Sequence, residues 1–211
     1  GFERISMVLQ NKKSSYDTDI FKPLIDFIAL HTKIAYTASY DVNAKSDLAM
    51  RVMADHIRAV SFAIADGAIP SNTGPGYVIR RILRRAVRYA YSFLNLKEPF
   101  LYKLLPVLSE NMASVFPELE LQKDFISKVI REEETSFLKT LEEGLRKLES
   151  LDPNLKKLEG KLAFELYDTY GFPFDLTQLI ARENNWAVDE SGFHAAMSLQ
   201  KERSRSDAKK E

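Results

Sequence analysis

Gly74-Pro75-Gly76-Tyr77-Val78-Ile79-Arg80-Arg81-Ile82-Leu83-Arg84-Arg85-Ala86-Val87-Arg88 is the stretch on which the fold of this 211-residue chain turns. Beyond Gly76 the apolar residues Val78, Ile82, Leu83, Ala86 and Tyr89 or Ala90 recur at three-to-four spacing, which predicts an amphipathic helix. Arg80, Arg81, Arg84, Arg85 and Arg88 occupy its remaining faces. No Asp or Glu stands between Asp66 and Glu98, so five guanidinium groups repel one another locally. They require acidic neighbours supplied by the fold or a polyanionic partner. Immediately upstream, Pro70, Gly74, Pro75 and Gly76 forbid a continuing helix, which leaves Ser71 and Asn72 on a polar turn.

Outward from that helix the chain reads as one helical segment after another. Phe2, Ile5, Val8 and Leu9 carry helical spacing at the start, and Ser14-Ser15-Tyr16-Asp17 interrupts it. Thr18 or Asp19 is then placed to cap a helix from about Phe21 to Leu30. Lys33 to Asn43 reads as loop or short extended backbone. Ser46-Asp47 is expected to cap a long helix with a wide apolar face, Leu48 to Ile64, stopped at Asp66-Gly67. A turn at Leu94 to Pro99 precedes a helix from Phe100 to Val115 interrupted near Pro106. From Glu118 to about Leu151, Leu121, Phe125, Ile126, Val129, Ile130, Phe137, Leu138, Leu141, Leu145 and Leu148 keep near-heptad spacing. Its run Arg131-Glu132-Glu133-Glu134 could offset some of the arginines. Asp152-Pro153-Asn154 breaks the chain. Asp175 or Thr177 is expected to cap a helix through Glu183, and a final helix, Phe193 to Arg205, leads into a polar tail that reads as a linker. The pattern predicts a mainly α fold: a helical bundle over 21–151, preceded by residues 1–20 and followed by a small helical subdomain over 152–211.

Composition narrows the function. A 45% hydrophobic content suffices for a real core. Formal net charge is zero, so any affinity for nucleic acid must come from segregated charge, which the arginine helix supplies. The absence of cysteine rules out disulfides, thiolate metal sites and cysteine catalysis within this stretch. With no bilayer-length apolar run and no signal-peptide pattern, the expectation is a cytoplasmic protein that avoids membranes. The opening Gly-Phe-Glu-Arg, without Met, suggests a piece of something longer.

No complete active site is legible. His31, His56 and His194 have no second ligand at metal spacing, and the phosphate-loop, dinucleotide and nucleophile-elbow motifs are missing. The arginine cluster is the strongest signal, because planar guanidinium forks hold phosphates bidentately, whereas a merely solvated face more often mixes Lys with Glu. Its rival reading pairs some of the five with the acidic stretch of 118–151. Asp168 is read either as a helix cap or as an acceptor for a base amino group, such as the guanine N2 amine that a wobble G·U pair leaves unpaired in an A-form minor groove. Two other readings of the whole remain open: a helical protein-interaction module built on 118–151, and a DNA-binding helix-turn-helix protein using the arginine helix.

Several motifs in combination resemble the bacterial alanyl-tRNA synthetases. They are Gly1-Phe2-Glu3-Arg4-Ile5, Tyr16-Asp17-Thr18-Asp19-Ile20-Phe21, Ala54-Asp55-His56-Ile57-Arg58, Ala65-Asp66-Gly67 with Pro70-Ser71-Asn72, Gly76-Tyr77-Val78-Ile79-Arg80-Arg81-Ile82-Leu83-Arg84-Arg85, and Leu166-Tyr167-Asp168-Thr169-Tyr170-Gly171-Phe172-Pro173. The resemblance covers nearly the whole chain and implies the helical tRNA-recognition region between the class II catalytic domain and the editing domain. It implies that 1–20 ends the catalytic domain, with Arg4 the motif 3 arginine that contacts ATP phosphate. It implies that Asn72 and Asp168 read the G·U wobble pair of the alanine tRNA acceptor stem while Arg80, Arg81, Arg84, Arg85 and Arg88 hold backbone nearby. ATP and Mg would serve the full enzyme and zinc its editing domain outside this chain, with none expected to bind here. The segment's partners would be the tRNA acceptor stem and the rest of the synthetase chain, and alone it would be inactive.

Overall fold

The computed structural model describes residues 1–152 and 154–207, and it is mainly α-helical, as the sequence predicts. The chain forms two compact units, Gly1–Leu138 and the residues from Lys139 onward. Pro153 and residues 208–211 lie outside the described residues, so the expected break at Asp152-Pro153-Asn154 is described only at its flanks, and the expected linker only as far as Asp207.

In the first unit α1 (Phe2–Leu9) leads through a short 3-10 turn, Ser15–Asp17, to α2 (Lys22–Thr32). Next come α3 (Lys45–Ala65), α4 (Gly74–Leu94), a 3-10 turn at Leu101–Leu104, α5 (Leu105–Met112), α6 (Glu118–Leu121) and α7 (Lys123–Glu149). The core is aliphatic: Leu24, Ile25 and Ile28 of α2, Met50, Met53, Ile57 and Ile64 of α3, Leu83 of α4 and Leu101, Leu104 and Leu105 are sealed from solvent. Each contributes about 1.5–3 kcal/mol by leaving water.

Helix starts differ from expectation in a consistent way. Asp47 does not cap α3, which begins at Lys45 with no side-chain cap. Its carboxylate is instead buried and accepts from the Thr37 and Ser39 amides, at 3.1 and 2.7 Å, and from Thr37 Oγ1 at 2.8 Å. The segment ahead of α3 is thereby fastened to it. Neither Thr18 nor Asp19 caps α2, because Thr18 Oγ1 donates back to Ser15 O at 2.6 Å. Pro106 falls in the first turn of α5, where its missing N–H costs nothing, so it starts that helix and does not interrupt one. The long helix expected from Glu118 is split at Gln122 into α6 and α7.

The second unit holds α8 (Gly160–Asp168), α9 (Phe174–Glu183) and α10 (Glu190–Asp207). Two short strands, β1 (Lys157–Leu158) and β2 (Ala187–Val188), pair in parallel. Gly160 of α8 rests on Gly192 of α10 so closely that a Cβ would stand 2.3 Å from the Gly192 carbonyl carbon. The C-terminal part of α7 belongs here: a Cβ on Gly144 would meet the Phe172 ring at 2.6 Å, and Thr140 Oγ1 donates to Tyr170 O at 2.7 Å. The N-terminal part serves the first unit, with Phe137 beneath the Arg84 guanidinium at 4.9 Å. One helix thus spans the division because its two ends pack against different neighbours. Asp175 and Thr177 do not cap α9, which begins earlier, at Phe174, behind Pro173.

Candidate nucleic-acid interface

The polar turn between α3 and α4 is built from the backbone outward. Gly67, at φ +90°, reverses the chain after α3, a conformation other residues adopt only under strain. The Ser71 amide then donates to Gly76 O at 3.1 Å, and Ser71 Oγ donates to Thr73 O at 2.8 Å. This curl passes directly over Gly76, where a Cβ would lie 2.1 Å from Ile69 O. Asn72 is left exposed at the tip.

Asn72 Oδ1 accepts a hydrogen bond from Arg80 Nη1. Arginine carries only donors, so the atom facing it must be the carboxamide oxygen, and the Asn72 NH2 group is turned the other way. Arg80 is held from behind, its Nε 3.1 Å from Glu133 Oε1. The same oxygen accepts from Arg84 at 2.6 Å. Side-chain exposures of 20% for Arg80, 12% for Arg84 and 10% for Glu133 place this trio largely out of water. The acidic run of α7 therefore supplies one of the counter-charges the arginine helix demands.

The neighbouring Glu134 turns the opposite way. It is buried and accepts from the amides of Phe100 and Leu101 at 3.0 and 2.9 Å through Oε1, and from Tyr102 at 3.1 Å through Oε2. Burial pushes its carboxyl up to about 7, against the downward pull of those three N–H groups. Successive residues of α7 thus anchor two elements, Glu133 the arginine helix and Glu134 the turn at Leu101–Leu104.

The other arginines do not stand in one open row. Arg88 is buried, 5% exposed, its guanidinium 5.0 Å from the Phe93 ring and 5.2 Å from that of Tyr89. Arg88, expected to contact phosphate, is instead packed against these rings, and Arg84 is likewise engaged inside the protein. Arg81 and Arg85 are half-buried on the same helix, Arg81 6.0 Å from the Tyr77 ring. Arg4 sits exposed in the first turn of α1, next to Glu3, which binds Arg58 at 2.6 Å.

Asp168 is the last residue of α8, exposed, and without a side-chain partner among the described residues. It caps no helix, so the cap reading fails. A carboxylate at a helix C-terminus also opposes the macrodipole, at a cost of about 0.3–1 kcal/mol. Local structure therefore gives no reason for an acid here. The turn behind it is fixed by Gly171, at φ +69°, and by the Phe172 amide donating to Leu166 O at 2.8 Å.

Sequence reasoning passed over two features. Arg51, buried on α3, lies among the rings of Tyr16, Tyr36 and Tyr40 and donates to Tyr36 Oη at 3.0 Å; only the fold brings these together. Glu134 reads in sequence as one of several solvated acids, and nothing local marks it as buried. Among the described residues no group of three or more His, Asp or Glu side chains could hold a metal ion, and no helix is long and apolar enough to cross a membrane.

A family profile for tRNA synthetases class II (A) matches residues 1–211. The chain is 62% identical over 210 residues to an alanine–tRNA ligase of Cytophaga hutchinsonii, covering 97% of this chain and 24% of that protein. It is 58% identical to the alanine–tRNA ligase of Christiangramia forsetii, over 97% and 23% of the two chains. For that of Porphyromonas gingivalis the identity is 56%, over 99% and 24%. The chain spans about a quarter of the length of these curated relatives.

Proposed function

The chain belongs to the class II tRNA synthetases, and on that premise we propose that it is the acceptor-stem-reading segment of an alanine–tRNA ligase. The full-length enzyme would activate alanine with ATP and transfer it to tRNA, and this segment would supply selectivity for the wobble G·U pair. The single observation that carries the reading is Asp168: an exposed carboxylate at an unfavourable helix end, with no partner in its own unit to explain it. An acid on a phosphate-facing surface is tolerated where it accepts from a base amine, and guanine N2 in the shallow groove is such a donor. Asn72 complements it, because its outward NH2 offers donors where Asp168 offers acceptors.

The arginine helix supplies positive potential along the same segment, with Arg81 and Arg85 the members proposed to approach phosphate, and Arg80, Arg84 and Arg88 serving it from within. Arg4, exposed and without a side-chain partner among the described residues, fits a cation that would meet ATP phosphate. When bound, ATP supplies the leaving group that activates alanine, and Arg4 would neutralise and orient its phosphate. Mg and zinc would belong to parts of the enzyme beyond this chain. Phe2, Ile5, Val8 and Leu9 of α1 are between 61% and 81% exposed, which supports packing of this helix against further polypeptide of the synthetase. These proposals set aside the protein-interaction and helix-turn-helix readings. Ile126, Ile130, Phe137, Leu141 and Leu148 are buried within the fold, which counts against the protein-interaction reading, although Leu121 and Phe125 remain exposed.

The test is charging by the full-length synthetase of two acceptor-stem minihelices, one with G·U and one with G·C. Asn72→Ala or Asp168→Ala should lower the G·U preference by about 5- to 150-fold, the equivalent of about 1–3 kcal/mol for a lost groove contact. Alanine activation with ATP should change far less. Unaltered preference in either variant would remove that residue from the reading.

A further inference from the structure

Resting on the reading of Asn72 just given, we propose that Arg80 is a positioning residue whose task is to fix which end of the Asn72 carboxamide faces the RNA. An exposed asparagine at a loop tip can rotate its amide, presenting oxygen or NH2 with similar ease, and a reader with two interchangeable faces cannot tell a donor from an acceptor. Arg80 removes that freedom. It has no acceptor to offer NH2, so its hydrogen bond to Oδ1 selects one orientation. Its own guanidinium is held by Glu133, whose carboxylate is 10% exposed and also holds Arg84. The line from α7 through α4 to the turn is therefore continuous: a shielded carboxylate forms an ion pair with a guanidinium, which orients an exposed amide.

Two consequences follow in chemistry. First, Asn72 addresses an acceptor atom in the shallow groove, on a base edge or a ribose, and not an amine. Second, Arg80 influences selectivity without touching phosphate. Asn72→Asp separates these ideas well: it keeps an oxygen for Arg80 but replaces the outward donors with a second acceptor.

The experiment uses the full-length synthetase and the G·U and G·C minihelices, reading the ratio of kcat/KM values and the salt dependence of minihelix binding. Arg80→Met should lower the ratio about tenfold, Asn72→Asp should lower it at least as far as Asn72→Ala, and Arg80→Lys, which retains a donor, should recover part of the Arg80→Met loss. In the Asn72→Ala background Arg80→Met should have no further effect on the ratio, since two residues acting through one contact do not add. The salt slope should be the same with and without Arg80. If Asn72→Ala lowers the ratio while Arg80→Met leaves it intact, the positioning role is wrong and the reading of Asn72 stands. Losses that multiply in the double variant, or a salt slope reduced by about one in Arg80→Met, would make Arg80 a phosphate contact and overturn the proposal. An Asn72→Ala enzyme with unchanged ratio would instead defeat the reading on which it rests.

Discussion

Glu134→Gln is the substitution whose consequence the structure defines most sharply. The carboxyl is buried and titrates at about 7 against an ordinary 4.5. Between those values the native protein keeps a proton that the unfolded chain has released, so native stability falls as pH rises. At about 1.4 kcal/mol per pH unit, the interval amounts to about 3 kcal/mol. This contribution is fully present below pH 4.5 and gone once pH has passed 7. Glutamine keeps an acceptor for the Phe100 and Leu101 amides but cannot ionise, so its stability carries no such slope. Thermal melts of both proteins from pH 5 to pH 8 test this, because their difference cancels the titration of all other groups. The part of this falling between pH 5 and pH 8 is somewhat under 3 kcal/mol, so at about 2–4 °C per kcal/mol for a chain of this size, wild type should lose roughly 5–10 °C relative to the variant across that range. Parallel profiles would refute the reasoning. They would mean that the three N–H donors hold the carboxylate ionised throughout and outweigh its burial.

Two further outcomes concern the elements around the polar turn. Gly76→Ala forces a Cβ to 2.1 Å from the Ile69 carbonyl oxygen, so the curl carrying Asn72 must open. We expect a lower Tm together with reduced G·U preference, and a variant that melts normally and keeps its selectivity would show that the turn tolerates the change. Arg88→Met removes a guanidinium packed on Phe93 and Tyr89, replacing a buried charge with a flexible apolar chain. It should alter Tm while leaving the salt dependence of minihelix binding unchanged, whereas a shallower slope would mean that Arg88 reaches phosphate.

Much of the fold was legible because helical periodicity is dense here. The arginine helix, the long α3 and the near-heptad α7 follow directly from the spacing of apolar residues. Helix starts were not. Ser46-Asp47, Thr18 or Asp19, and Asp175 or Thr177 all satisfy a local capping rule, yet Asp47 is taken up by the amides of Thr37 and Ser39, and Thr18 by Ser15. A cap is a local preference of about 1 kcal/mol, and several hydrogen bonds to a loop exceed it. The compact units divide within α7, where charged spacing continues unbroken and no turn residue signals a change of neighbour. For the site, Asn72 was placed on a turn from its proline and glycine flanks. Its link to Arg80 and thence to Glu133 depends on how that turn curls back over Gly76 and on how α7 packs, which no local pattern encodes. Asp168 gained meaning from resemblance alone, and the structure adds that it has no capping role.

The most direct measurement replaces the guanine of the G·U pair with inosine, which lacks only the N2 amine, and compares charging by the wild-type synthetase and its Asp168→Ala variant. If the Asp168 carboxylate accepts from that amine, wild type should charge the inosine stem about 5- to 150-fold less well, and the variant should scarcely distinguish the two stems. An equal penalty for inosine in both enzymes would contradict the account, because the amine would then be read by some other group.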